Sequence, residues 1–229
     1  MHFGRKAAQC GMTAAHRGLK SVLCGVRTSH RIQIDKKPVF WHNAHVMTIY
    51  LIRHGLVDFD WEKKLTSKEY DKAWSDYDYR PIKPITKRFE VPKDAKIFVT
   101  SYQRTQETAR QYLGREDFTI VPDGMADEVP LVSYKDSEKA RPVWKMNVRG
   151  RIQWYTHGKR QPEWRRNSLE RANKLLDYLE AQDAETVVVV FHGFFLRTVS
   201  RALRLRGYKQ EGRPKFSVPN LLTVKAVKP

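Results

Sequence analysis

Arg53, His54 and Gly55 follow a short apolar run in "IYLIRHGLVDFD", and His192 and Gly193 follow the run "VVVVF". Arg104 stands just after "KIFVTS". If these side chains converge, they form a pocket with two permanent cations and two imidazoles. The planar guanidinium fork matches phosphate oxygens bidentately. A neutral imidazole carries a lone pair that can attack phosphorus and form a phosphohistidine. Its other ring nitrogen must then donate to a backbone carbonyl, which fixes the tautomer. Gly55 lets the chain turn sharply and keeps a Cβ away from the phosphate. Such a pocket handles phosphoryl transfer by positioning and charge neutralisation, and it calls for no metal and no organic cofactor. The departing alkoxide needs a proton. Glu128 in "MADEVPLVSY" is the candidate donor and Asp127 its rival. Burial would raise the acid's pKa and the arginines would lower it. Ser101 either touches the phosphate or caps the helix that begins near Arg104, and capping is the simpler assignment.

Positioning these groups requires strands that end where the groups begin. Thr48–Ile52, Lys96–Thr100, Phe118–Val121, Thr186–Phe191 and Leu221–Val227 read as strands. Leu65–Tyr79, Arg104–Leu113, Ser168–Ala181 and Phe194–Leu205 read as helices. Thr66 or Ser67 is the expected N-cap of the first helix and Gly114 the stop of the second. Leu169, Ala172, Leu175, Leu176 and Leu179 share one helix face. Alternating strands and helices predict a three-layer α/β/α sandwich around a mostly parallel sheet. In such sheets the ligand sits outside the carboxyl ends of the strands. Three separate strand ends carry the polar residues named above.

The chain has 229 residues and a formal charge of +18, which favours anionic partners or is only a soluble basic surface. Residues 1–46 hold eight Lys/Arg and a single acid, Asp35. They read as a poorly structured basic extension, either an upstream start before Met47 or a transit segment. Cys10 and Cys24 both fall there, so thiolates cannot build a disulfide framework or zinc site in the domain expected from 47 to 229. The longest apolar run is five residues, Val187–Phe191, too short to span a bilayer. No membrane association is expected. A cytoplasmic location is, or an organellar one if residues 1–46 act as a transit segment.

"LIRHG", "SYQRTQETA", "DEVPL" and "VVFHG" together resemble the histidine phosphatase superfamily, also called phosphoglycerate mutase-like, in its order and over about Met47–Val227. The resemblance implies that His54 is the phosphorylated nucleophile. It places Arg53, Arg104 and His192 in the phosphate pocket, with Glu128 as proton donor and Gly55, Ser101 and Gly193 beside the substrate. It also implies that Glu163 starts a long helix at one remove from the substrate. Two departures stand against a standard phosphoglycerate mutase. Asp60 occupies the position where many members have asparagine, and the glycine-rich passage after the first motif is reduced to "KKLTSKEY".

An insert at about residues 136–166 is basic and rich in tryptophan. Within it, Arg141–Arg166 carries eight Lys/Arg and one acid, with Trp144, Trp154, Tyr155 and Trp164 interleaved. Trp144, Val148 and Ile152 recur at helical spacing and are expected to pack against the domain; the alternative is a cationic lid over the pocket. No nucleic-acid module is recognisable, so nucleic acid is not an expected partner. His157 reads as a surface or helix-end residue, and Glu107 and Thr108 as surface and packing residues. The expected activity is a metal-independent phosphomonoesterase acting on a small phosphorylated substrate, with a polyanionic one compatible. A phosphomutase and a low-turnover phosphoanion-binding module are the alternatives.

Overall fold

β-branched runs dictate the sheet. In a computed structural model, residues 46–212, 214 and 218–228 are described. The extension, with Cys10 and Cys24, lies outside the described residues apart from Val46. In chain order the elements are β1 (Thr48–Arg53), β2 (Lys64–Leu65), α1 (Ser67–Asp78), β3 (Lys96–Val99), α2 (Gln103–Thr108) and β4 (Phe118–Ile120). There follow β5 (Arg141–Pro142), α3 (Val143–Thr156), α4 (Arg165–Glu180), β6 (Thr186–Phe191), α5 (Gly193–Leu205), β7 (Lys209–Glu211) and β8 (Thr223–Val227).

Six strands form one sheet in the order β4-β3-β6-β1-β8-β7. The first four are mutually parallel, whereas β8 runs antiparallel to β1 and β7 antiparallel to β8. The valine run of β6 is buried on both faces, as a central parallel strand requires. Val187, Val189 and Phe191 face α4 and α5 through Leu175, Leu176, Phe195 and Val199. Val188 and Val190 face the opposite way, with Ala109 and Leu113. This is the three-layer α/β/α arrangement.

Local signals set the ends. Thr66 caps α1, and Glu69 returns the bond to the Thr66 N–H, closing a capping box. After α2 the chain widens into a π-turn, Ala109–Leu113, and stops at Gly114, whose φ of 65° favours glycine. The expected row Trp144, Val148 and Ile152 does not pack against the domain: these residues are 67%, 41% and 55% exposed. α3 docks through the opposite face instead, burying Met146 and Gly150. At Gly150 a Cβ would lie 2.5 Å from Leu131 Cδ1, so glycine is what lets that face approach. His157 ends α3 in the left-handed conformation and stacks on Trp164.

Candidate active site

Strand register brings the site together. Arg53 at the end of β1 lies opposite Phe191 at the end of β6, and Val190 lies opposite Val99 at the end of β3. The next residues of each strand, His54, His192 and Thr100, therefore emerge side by side. The two imidazoles meet edge to face with ring centres 5.4 Å apart.

Hydrogen bonding assigns each ring its tautomer. His54 Nδ1 lies 2.7 Å from the Gly55 carbonyl, which only accepts, so Nδ1 bears the hydrogen and Nε2 keeps its lone pair. Arg104 Nε donates to His192 Nδ1 at 3.2 Å, which leaves His192 Nε2–H to face Thr100 Oγ1 at 3.2 Å. Burial pushes the His54 pKa well below 6.5, helped by Arg104 and Arg53, while the bond to Gly55 opposes them. His192 is lowered in the same way, by burial first and then by Arg104, His54, Arg171 and Arg53. Both rings are neutral nucleophiles or donors near neutral pH.

The linkage has a definite sign. A histidine whose native pKa lies below its unfolded value of about 6.5 binds its proton more readily when unfolded. The stability is intact above pH 6.5 and falls as the pH drops below it. Thermal melts taken downward through pH 6.5 should steepen toward a loss of about 1.4 kcal/mol per pH unit for each ring that stays neutral in the fold. His54→Asn should remove its share of that slope.

The arginines are held differently. Arg104 is 1% exposed, and its Nη1 donates to Asp78 Oδ1 at 2.9 Å, while its guanidinium lies 4.4 Å from the Tyr102 ring centre. Arg53 Nη1 donates to the Val218 carbonyl, and its buried Nε meets no partner among the described residues. A buried orphan donor costs free energy unless an acceptor arrives, and an anion is such an acceptor. Gly193 makes room for this group: a Cβ there would lie 2.7 Å from Arg53 Nε and 3.1 Å from its Cζ. Gly193→Ala should displace the guanidinium and lower kcat/KM about 100-fold, as a misplacement of about 1 Å does. Circular dichroism should show the fold retained.

Glu128 and Asp127 prove unlike. The Glu128 carboxylate accepts from Val129 N at 2.9 Å, Phe194 N at 3.0 Å and Phe195 N at 2.8 Å. It thus satisfies the first turn of α5, whose own N-cap, His192, supplies no side-chain bond. Asp127 has its pKa raised by burial, against the pull of Arg171 and Arg104. Both acids sit on a loop that Arg171 braces, donating to the Asp127 carbonyl at 2.7 Å and to Glu163 Oε2 at 2.9 Å. Glu163 therefore acts through that arginine. A cleft of about 300 Å³ opens between Arg53, Trp74, Glu128, Arg151, Gly193 and Val218.

Some sequence expectations need correction. Ser101 is exposed, and the N-cap position falls on Tyr102 with no side-chain cap, because α2 starts one residue later than the capping assignment needs. Thr108 does more than pack: its Oγ1 accepts from Gly55 N at 2.8 Å and donates to the Arg104 carbonyl at 2.6 Å. Glu107 accepts from Ile82 N. Asp60 is exposed. Asp78, Thr100, Arg171 and Asn220 were not singled out in the sequence. Asn220 Nδ2 donates to both the His54 and Gly55 carbonyls, at 3.1 and 3.0 Å. The Thr108 signal was present, since Thr108 lies one helical turn after Arg104.

A search of curated protein sequences finds no match. Among solved structures, the chain is similar to a phosphoserine phosphatase from Entamoeba histolytica at 15% identity and TM-score 0.47, covering 78% of this chain and 89% of that one. It is similar to Bacillus stearothermophilus YhfR at 18% identity and TM-score 0.45, covering 69% and 80%. The family profile described as histidine phosphatase superfamily (branch 1) matches residues 49–227 and supports a phosphatase- or mutase-type activity. The chain that pairs His54 with His192 across two parallel strand ends belongs to the histidine phosphatase superfamily.

Proposed function

We propose that the protein is a metal-independent phosphomonoesterase that works through a phosphohistidine at His54. The supporting observation is the His54 ring itself: buried, neutral, its Nδ1–H bound to the Gly55 carbonyl and its Nε2 lone pair left for phosphorus. Arg53, Arg104 and His192 bind the phosphoryl oxygens. As Nε2 forms the N–P bond, the ester P–O bond breaks and the alkoxide takes a proton from Glu128. Water then attacks phosphorus as the N–P bond breaks and returns its electron pair to His54 Nε2, while Glu128 takes the water proton; this restores the acid and the imidazole and frees inorganic phosphate. Glu128 is assigned this role because it lines the cleft with Arg53 and Gly193.

The test is acid-labile, alkali-stable labelling of the protein by a radiolabelled phosphomonoester, followed by peptide mapping, with and without chelator. Label on His54 that forms and decays at the turnover rate supports the assignment. Turnover without label, or turnover abolished by chelator, overturns it. One observation favours a second reading, a low-turnover phosphoanion-binding module: the Glu128 oxygens accept from three backbone N–H groups, which ties them up. Label that forms and never hydrolyses would support that reading. Recovery of an isomerised phosphoester instead of free phosphate would identify a phosphomutase.

A further inference from the structure

The active-site cleft does not end at Arg151. Asn147, Arg151, Phe194 and Arg197 also line a neighbouring trough between α3 and α5, of about 420 Å³. That volume is within the roughly 300–1,000 Å³ of small-molecule sites. Val148, Ile152, Trp154 and Tyr155 complete its walls. The floor is fixed: the Phe194 ring has the Arg151 guanidinium 3.7 Å from its centre, and Trp154 Nε1 donates to Ser168 Oγ at 2.9 Å. Ile152 and Tyr155 are 55% and 59% exposed. The trough is therefore an apolar surface left open beside the proton donor. A concave, mostly apolar lining with a few polar groups at its edge is the common form of a small-molecule site.

Its chemistry selects the occupant. Asn147 Oδ1 already accepts from Tyr70 OH at 2.6 Å, which uses one of the few uncharged polar groups there. A sugar or other polyol would find few hydrogen-bond partners along the walls made by Val148, Ile152, Trp154 and Phe194. An apolar chain or ring would gain by leaving water. Any alcohol protonated by Glu128 in the cleft has this trough as a continuous neighbour.

We infer that the α3–α5 trough is the leaving-group subsite, and that the substrate is a phosphomonoester of an apolar alcohol. This rests on the phosphomonoesterase reading and names its substrate class. The phosphate sits at the strand ends and the apolar part lies along Ile152 and Phe194.

The experiment uses two homologous series from ethyl to octyl, run with the full chain. n-Alkyl phosphates report turnover, and non-hydrolysable n-alkyl phosphonates report binding by titration calorimetry. A fully buried methylene is worth about fourfold in affinity, so a trough open on one side should give about twofold per methylene in both kcat/KM and Kd. Ile152→Glu should flatten both series. Leu205→Glu makes the same change at an exposed residue outside the trough and should leave the slopes intact. A phosphonate slope without any turnover would keep the subsite and remove the phosphatase reading. Turnover independent of chain length would overturn the subsite and keep the phosphatase. A dimer in light scattering that Ile152→Glu dissociates, with flat series, would assign the face to a second copy and also overturn the subsite.

Discussion

His54→Ala is expected to lower kcat/KM for p-nitrophenyl phosphate by about a million-fold, the scale seen when a catalytic nucleophile is removed. The argument is geometric. His192 cannot stand in, because Arg104 donates to its Nδ1 and its Nε2–H faces Thr100. Of the two rings, His54 is the one whose Nε2 lone pair meets no donor among the described residues while its opposite nitrogen is anchored. His54→Ala leaves a cavity at a buried position, so a melting curve must accompany the assay. His54→Gln, closer in volume, should be equally inactive. A retained rate in either variant with the fold intact would remove the mechanism. Loss of rate accompanied by unfolding in Ala alone would leave the Gln result to decide.

Glu128→Gln should separate the proton donor from the helix cap. For an alkyl phosphate, whose leaving group needs a proton, the rate should fall about 100- to 1,000-fold. For p-nitrophenyl phosphate, whose leaving group departs as a stable anion, it should fall less than about tenfold. The substitution also places an amide donor among three backbone N–H donors, so one bond to α5 is lost. That should cost about 1–2 kcal/mol of stability. Asp127→Asn is the matched control. If Asp127→Asn shows the leaving-group dependence and Glu128→Gln does not, the proton comes from Asp127, whose pKa burial already raises.

Much of this site was legible because chemistry and secondary structure change at the same residues. Each of β1, β3 and β6 reads as an apolar run that stops at a polar residue, so the strand ends could be located from composition alone. The register that sets Arg53 beside Phe191 was not legible, because nothing in either run specifies its partner. Asp78 was hidden for a different reason: α1 is polar along most of its length, and Asp78 differs from Asp76 only in facing Arg104. Period alone gave the Trp144, Val148 and Ile152 row its common face but not the direction of that face. Gly150, on the opposite side, was the available signal, since close approach of backbones needs a missing side chain. β7, "KQE", has no apolar alternation and is held by its ladder to β8.

The Asp78–Arg104 ion pair partly neutralises the pocket before any anion arrives. A carboxylate already bonds Nη1 of the buried Arg104 guanidinium, so a phosphoryl group bound there shares that cation with a resident rival. The net electrostatic reward is thereby reduced for substrate and for inorganic phosphate alike. On the phosphomonoesterase reading proposed above, a weaker hold on the bound anion favours product release over sequestration.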